Sequence, residues 1–304
     1  MGDEYEPYQW QVGDPADWGD SVGVPDIPYM GYLNNGNDDD ECERPANKSR
    51  VRQLSDEAWD YVCEENYDAA LLKINSALDI DDRHHNDWNR KAIILEGLNR
   101  YEDAFRCYDE SLKRGGSSVV RSNKAFCIKS YLSIKLMKNE ITQDELNLIN
   151  EALKILPDSE NSHDFLYCKG EILEKLAKPV DAHICFLLAA KMYDEVEKVE
   201  NQRKIIKNSR STLICVTGTQ HYKGSMPLKP GVILDLIKEP ENRYDKDAIR
   251  VEINGETVGY VANSDATTVE GTVKASMLDM PEKSAMAKVM FMFASRFIIA
   301  EIIQ

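Results

Sequence analysis

The sequence predicts an α + β multidomain protein, an all-α helical array followed by a small β-barrel. Three observations predict it. Small and apolar residues recur at a spacing of 34 in the first half. The pattern changes from helical to alternating near Ser211. Asn254-Gly255 then sits between two β-branched runs, where both residues accept the positive φ of a type I′ turn. The expected divisions are 1–50, 51–210 and 211–304.

Residues 1–50 show neither period. They hold Gly, Pro, Asn and the run Asp38-Asp39-Asp40-Glu41, with 12 acids against 3 bases. Such composition predicts a disordered acidic tail. Tyr8, Trp10, Trp18, Tyr29 and Tyr32 add candidate docking spots to it. The opening MGDEYEPYQW is no secretory signal, and Glu6 stands where myristoylation needs Ser or Thr. No apolar run reaches the ~18 residues that cross a bilayer, so the expected location is cytoplasmic, with no membrane partner.

From about Leu54 the helical pattern repeats. Ala58 recurs as Ala92, Tyr67 as Tyr101, Ala70 as Ala104, Ile74 as Tyr108 and Leu78 as Leu112. Small residues at Ala70 and Ala104 let two antiparallel helices approach, and Ile74 and Tyr108 fill the groove one turn on. One pair cannot bury its apolar face alone, so pairs must stack. The spacing resembles the tetratricopeptide repeat. The best copy runs from Asp87 to Leu112, with Ser111 where that family has Ala. A third unit is longer by seven residues and ends at EALKILPD, with Pro157 at the inter-repeat turn. A fourth spans His163 to Met192 with Gly170, Ala182, Phe186 and Ala189 in place, and Tyr193 to Asn208 continues as a capping helix.

The last 94 residues read as five short strands. STLICVTGT, VILDLIKE, the Asn-Gly hairpin in AIRVEINGETVGYVA, and a second hairpin from Ala287 to Ile303 turning near Ser295 supply them. That number of strands predicts a small barrel or half-barrel. Asn263 to Lys283 is expected to close one end as a helix or long loop.

Four stations in order resemble the HIRAN domain: VTGTQHYKG, LKPG, LIKEPENRYDKDAIRV and ETVGYVAN. The resemblance implies an OB-like barrel that binds DNA, with single-stranded 3′ ends as the target best known for the family, and places Tyr222, Asn242, Tyr244 and Asp245 at end-capture positions. Gln220 and His221 depart from the helicase-linked pattern, which has Arg and Tyr there. Tyr260 follows Gly259 at a nearby polar-aromatic position.

The chemistry of the KEPENRYDKDAIRV loop is consistent with that role. A strand end offers a hydroxyl, a phosphate and an unstacked base. Asp245 and Asn242 can bond the hydroxyl, Tyr244 and Tyr222 can stack, and His221 can stack or touch phosphate. Lys223, Lys246 and Lys238 are the local phosphate partners, with Arg203, Lys204, Lys207 and Arg210 just upstream. The local alternative is that Asn242 and Asp245 only form Asx-turns and Tyr244 pins the loop to the barrel.

The charge balance excludes a broad basic groove. The chain carries net −16, and residues 211–304 hold 12 acids against 10 bases. There is no phosphate-cradling GxxxxGK[ST] loop. Seven scattered cysteines without CxxC predict reduced, mostly buried thiols. His84-His85 reads as a helix start rather than a metal pair, and no metal or other cofactor is expected. The expected function is a non-enzymatic adaptor, its barrel contacting DNA and its repeats recruiting a protein or peptide. The alternative is a protein-interaction scaffold whose barrel does not bind DNA.

Overall fold

The computed structural model describes residues 45–156, 162–222, 228–280 and 284–303. The acidic tail through residue 44, Pro157 and Lys223 lie outside the described residues. The described chain runs through nine helices: α1 (Pro45–Cys63), α2 (Tyr67–Ile80), α3 (His85–Gly97), α4 (Tyr101–Lys113), α5 (Ser118–Met137), α6 (Gln143–Ile155), α7 (Ser162–Lys175), α8 (Pro179–Ala189) and α9 (Tyr193–Asn208). The first starts earlier than the expected boundary near 51, with Pro45 at its first position, where a missing N–H costs nothing.

Helices pair as α1 with α2, α3 with α4, α5 with α6 and α7 with α8. Their small contact residues Ala58, Ala70, Ala92, Ala104 and Ala182 are fully buried. The long third unit is explained by α5, which has 20 residues against 13 in α3. Ser111 departs from Ala for a visible reason: its buried hydroxyl donates to the His85 carbonyl at 2.7 Å, where α3 begins. Gly170 lets the Phe186 ring lie against α7, because a Cβ there would fall 2.4 Å from it.

One turn recurs along the array. Glu65, Asn99, Asn139, Ala177 and Lys191 all take the left-handed conformation, with φ between 54° and 58°. The next residue in each turn donates its N–H five residues back, at 2.8–2.9 Å, as in Asn66 to Tyr61 and Lys178 to Leu173. These are Schellman caps, which satisfy carbonyls left open at a helix end. The turn into α9 has the same form, Met192 N–H to the Leu187 carbonyl.

Six strands follow, one more than the five expected: β1 (Leu213–Thr217), β2 (Ile233–Lys238), β3 (Ile249–Ile253), β4 (Glu256–Val261), β5 (Ser284–Phe293) and β6 (Phe297–Ile303). The extra strand arises because each hairpin supplies two beside β1 and β2. They close a barrel in the order β1-β4-β3-β2-β5-β6, every pair antiparallel. Asn254 and Gly255 both have positive φ, as the turn type demands. Register shifts in β4, opposite Val251/Glu252, and in β5, between Val289 and Phe291, bend these strands, the local curvature that closure requires.

The barrel has its own core, centred on Ile214, Leu234, Leu236, Val251, Val289 and Ile298. The segment after β4 covers one end with Ala275, Leu278 and Met280. A second cluster joins barrel to array: Leu187, Val199 and Ile206 pack with Leu213, Cys215, Val269, Phe293, Phe297 and Ile299. The capping helix α9 therefore buries its apolar face on the barrel wall. Among the described residues no helix is long and apolar enough to cross a membrane.

Candidate nucleic-acid interface

The loop between β2 and β3 is built on Asn242. Its side-chain oxygen accepts the N–H of Tyr244 at 3.0 Å and of Asp245 at 3.2 Å, an Asx-turn. Its amide nitrogen donates to Glu239 Oε2 at 2.9 Å. Asp245 continues the fold: Oδ1 accepts the Asp247 N–H at 2.9 Å, and Oδ2 accepts from Asn263 Nδ2 at 2.8 Å. Asn242 and Asp245 thus shape the loop, as the local alternative expects.

Tyr244 does not follow that alternative. It is 98% exposed and pins nothing. Asn242 and Asp245 fix the backbone on both sides of it and hold its ring out in water. Leaving so large an apolar surface unburied on a well-tied loop forfeits hydrophobic stabilisation on the order of 2 kcal/mol. Folding therefore supplies no reason for the ring.

Glu239, at the end of β2, organises the rest. Its carboxylate accepts from Arg250 Nη1 at 2.7 Å, from the Tyr260 hydroxyl at 3.2 Å and from Asn242. Burial, with the Tyr222 phenol and the Glu239 carboxylate beside it, pushes the Tyr260 phenol up to about 12, so it stays a neutral donor. The Tyr222 and Tyr260 rings lie 6.4 Å apart at 43°. Gly259 makes that neighbourhood possible. A Cβ there would stand 2.7 Å from the Thr217 carbonyl, so glycine lets β1 approach β4 and brings Thr217 opposite Tyr260.

Tyr222, Asn242, Tyr244, Asp245 and Tyr260 therefore fall into one bonded network, with His221 exposed next to Tyr222. Lys246 is exposed beside Asp245. His221 faces Gln220 across 3.2 Å between side-chain nitrogens. Lys238 differs from expectation: its ammonium donates to the Met280 carbonyl at 3.0 Å and ties down the end-covering segment. Sequence reasoning missed Glu239 and Asn263. Both stand in the quoted stations, but their partners lie 3–21 residues away and only the folded chain joins them.

Residues 210–288 match the HIRAN domain family. The barrel is a HIRAN domain, and HIRAN domains are generally DNA-binding modules. The match covers β1 to β4 and the start of β5, including every site residue named above. No tetratricopeptide-repeat match accompanies it over the helices. A search of curated proteins found no match to the chain.

Proposed function

We propose that the HIRAN barrel binds single-stranded nucleic acid, with DNA 3′ ends as the preferred target, and that the tetratricopeptide-like helix pairs recruit a protein partner. The observation that carries this is Tyr244, a solvent-exposed ring on a loop fixed by hydrogen bonds on both sides. A ring carried on a pre-formed loop stacks a base for ~1–3 kcal/mol without the loop backbone first being ordered. Tyr222, 42% exposed, offers a second face backed by Tyr260. Asp245 uses one acceptor site on each oxygen, and a carboxylate has about four, so it retains capacity for a terminal hydroxyl. Exposed Lys246 and His221 flank the rings as phosphate contacts. The chain acts by binding, in the cytoplasm, and any catalytic step belongs to its partner.

The test is a fluorescence-anisotropy titration with oligonucleotides ending in a 3′-hydroxyl or a 3′-phosphate. A phosphate brings charge toward Asp245 and removes the donor, so the free end should bind more tightly. A second reading, a protein scaffold without DNA binding, draws on Gln220, which carries no charge where the helicase-linked pattern has Arg. Absence of binding at micromolar protein would favour it.

A further inference from the structure

We propose that the nucleic-acid surface continues beyond the barrel onto the end of α9, where Lys204, Lys207 and Arg210 hold phosphates of the strand that leads to the aromatic site. This rests on the nucleic-acid reading above and extends it to Lys204 and Lys207, which precede the HIRAN match.

The charge pattern points there first. The chain has 53 acids in 304 residues, yet residues 201–234 contain no Asp or Glu. That acid-free stretch runs through the end of α9, all of β1 and the turn bearing His221 and Tyr222. Its cations differ in how they are used. Arg203 is engaged by Asp181 at 2.6 Å and Glu200 at 3.3 Å. Lys204, Lys207 and Arg210 are exposed and form no ion pair among the described residues. A cation in the last turn of a helix complements the helix dipole, which accounts for Lys207 alone. Arg210 lies beyond the helix, and Lys204 lies nearly a turn earlier.

The fold fixes the backbone that carries these cations. Ile206, between Lys204 and Lys207, is buried in the array–barrel cluster. Gln202 Nε2 donates to the Met292 carbonyl at 3.2 Å. Ser209 closes the turn into β1, its hydroxyl oxygen accepting the Ser211 N–H at 3.2 Å. The barrel also links them to the aromatic site by two routes. Strand β1 leads from Arg210 directly to His221 and Tyr222. The loop after β4 has Asn263 bonded to Asp245 at one end and Gly271 against Ile206 at the other; a Cβ at Gly271 would lie 2.9 Å from that side chain. The acids on this loop are Asp265, paired with Lys274 at 2.6 Å, and Glu270 beside Gly271. Leu213 to Val216 of β1 are buried, so a strand would pass over the loop, where Lys274 neutralises Asp265.

The experiment compares the full chain with Lys204→Glu/Lys207→Glu/Arg210→Glu and with the corresponding triple Gln variant, using labelled oligothymidylates of about three and about twelve nucleotides with free 3′ ends. Three phosphate contacts on single strands steepen the log K against log salt slope by about two. The wild type should bind the long strand at least about tenfold more tightly than the short one, with that steeper slope. Both variants should bind the long strand only as well as the short one, while short-strand affinity and melting temperature stay at wild-type values. Equal wild-type affinity for both lengths would overturn the extension and leave the aromatic site standing. So would variants that keep the long-strand advantage. No binding of either length would overturn both.

Discussion

Asn263 donates from the end of β4 to the Asp245 carboxylate at 2.8 Å, and its own carbonyl accepts the Ser276 N–H at 2.9 Å. One side chain thereby ties the Tyr244 loop to the segment that covers the barrel. Asn263→Ala should cost about 1 kcal/mol of stability from the lost bonds. It should weaken binding of a short oligonucleotide as well, because the loop bearing Tyr244 loosens. Thermal unfolding and anisotropy on the same preparation check this. Unchanged affinity with lowered stability would limit Asn263 to a folding role.

Gly259 is a steric requirement of the barrel. Adding even a methyl group places it 2.7 Å from the Thr217 carbonyl and 3.0 Å from Val216 Cγ1. Gly259→Ala should push β1 from β4 and cost about 1–3 kcal/mol, read by chemical denaturation. It should also separate Tyr222 from Tyr260, since their approach depends on that strand pair.

In the array, Ala104→Leu tests the helix-pair register. Ala104 is fully buried in the cluster with Ala92, Leu95, Tyr101 and Tyr108. Overpacking there should cost about 1–3 kcal/mol and lower the melting temperature. An unchanged melting temperature would mean that α3 and α4 do not meet at this residue.

Glu96 supplies a pH prediction. Burial raises its carboxyl above the ordinary range, against the lowering effect of bonds from Cys127, Ser130 and Tyr108. A carboxyl with a raised folded pKa contributes most below its unfolded pKa, ~4.3, and loses that contribution as pH rises through the folded value. Glu96→Gln should therefore stabilise the array at neutral pH and above, with the gain shrinking as pH falls toward ~4. Melting curves across that range check it. A gain that grows toward acid would contradict the burial account.

Where local chemistry decided structure, the sequence was readable. Asn254-Gly255 demands one turn type whatever surrounds it, and Ala70 and Ala104 mark a close helix contact by size alone. The Schellman turns were not readable, because Glu65, Ala177 and Lys191 occupy left-handed positions that usually signal themselves with Gly. The turn near Ser295 was readable, and Ala294 and Ser295 take the positive φ it needs; two single runs and two hairpins make six strands, so the total of five was a miscount. At the site, the residues were legible and their division of labour was not. Asn242 and Asp245 read equally as ligands or as loop formers until their partners were seen. Glu239 drew no notice because its meaning comes from Arg250 and Tyr260, which only barrel closure brings to it.

The central claim is that Tyr244 is held in solvent to stack a nucleic-acid base. Anisotropy of the wild type, Tyr244→Phe and Tyr244→Ala with a short single-stranded oligonucleotide bearing a free 3′-hydroxyl tests it most directly. The account predicts that Tyr244→Ala loses ~1–3 kcal/mol of binding, that Tyr244→Phe keeps most of it, and that all three melt alike, because the ring makes no folded contact. Equal affinity of wild type and Tyr244→Ala, or no binding by any of the three at micromolar concentration, would contradict it.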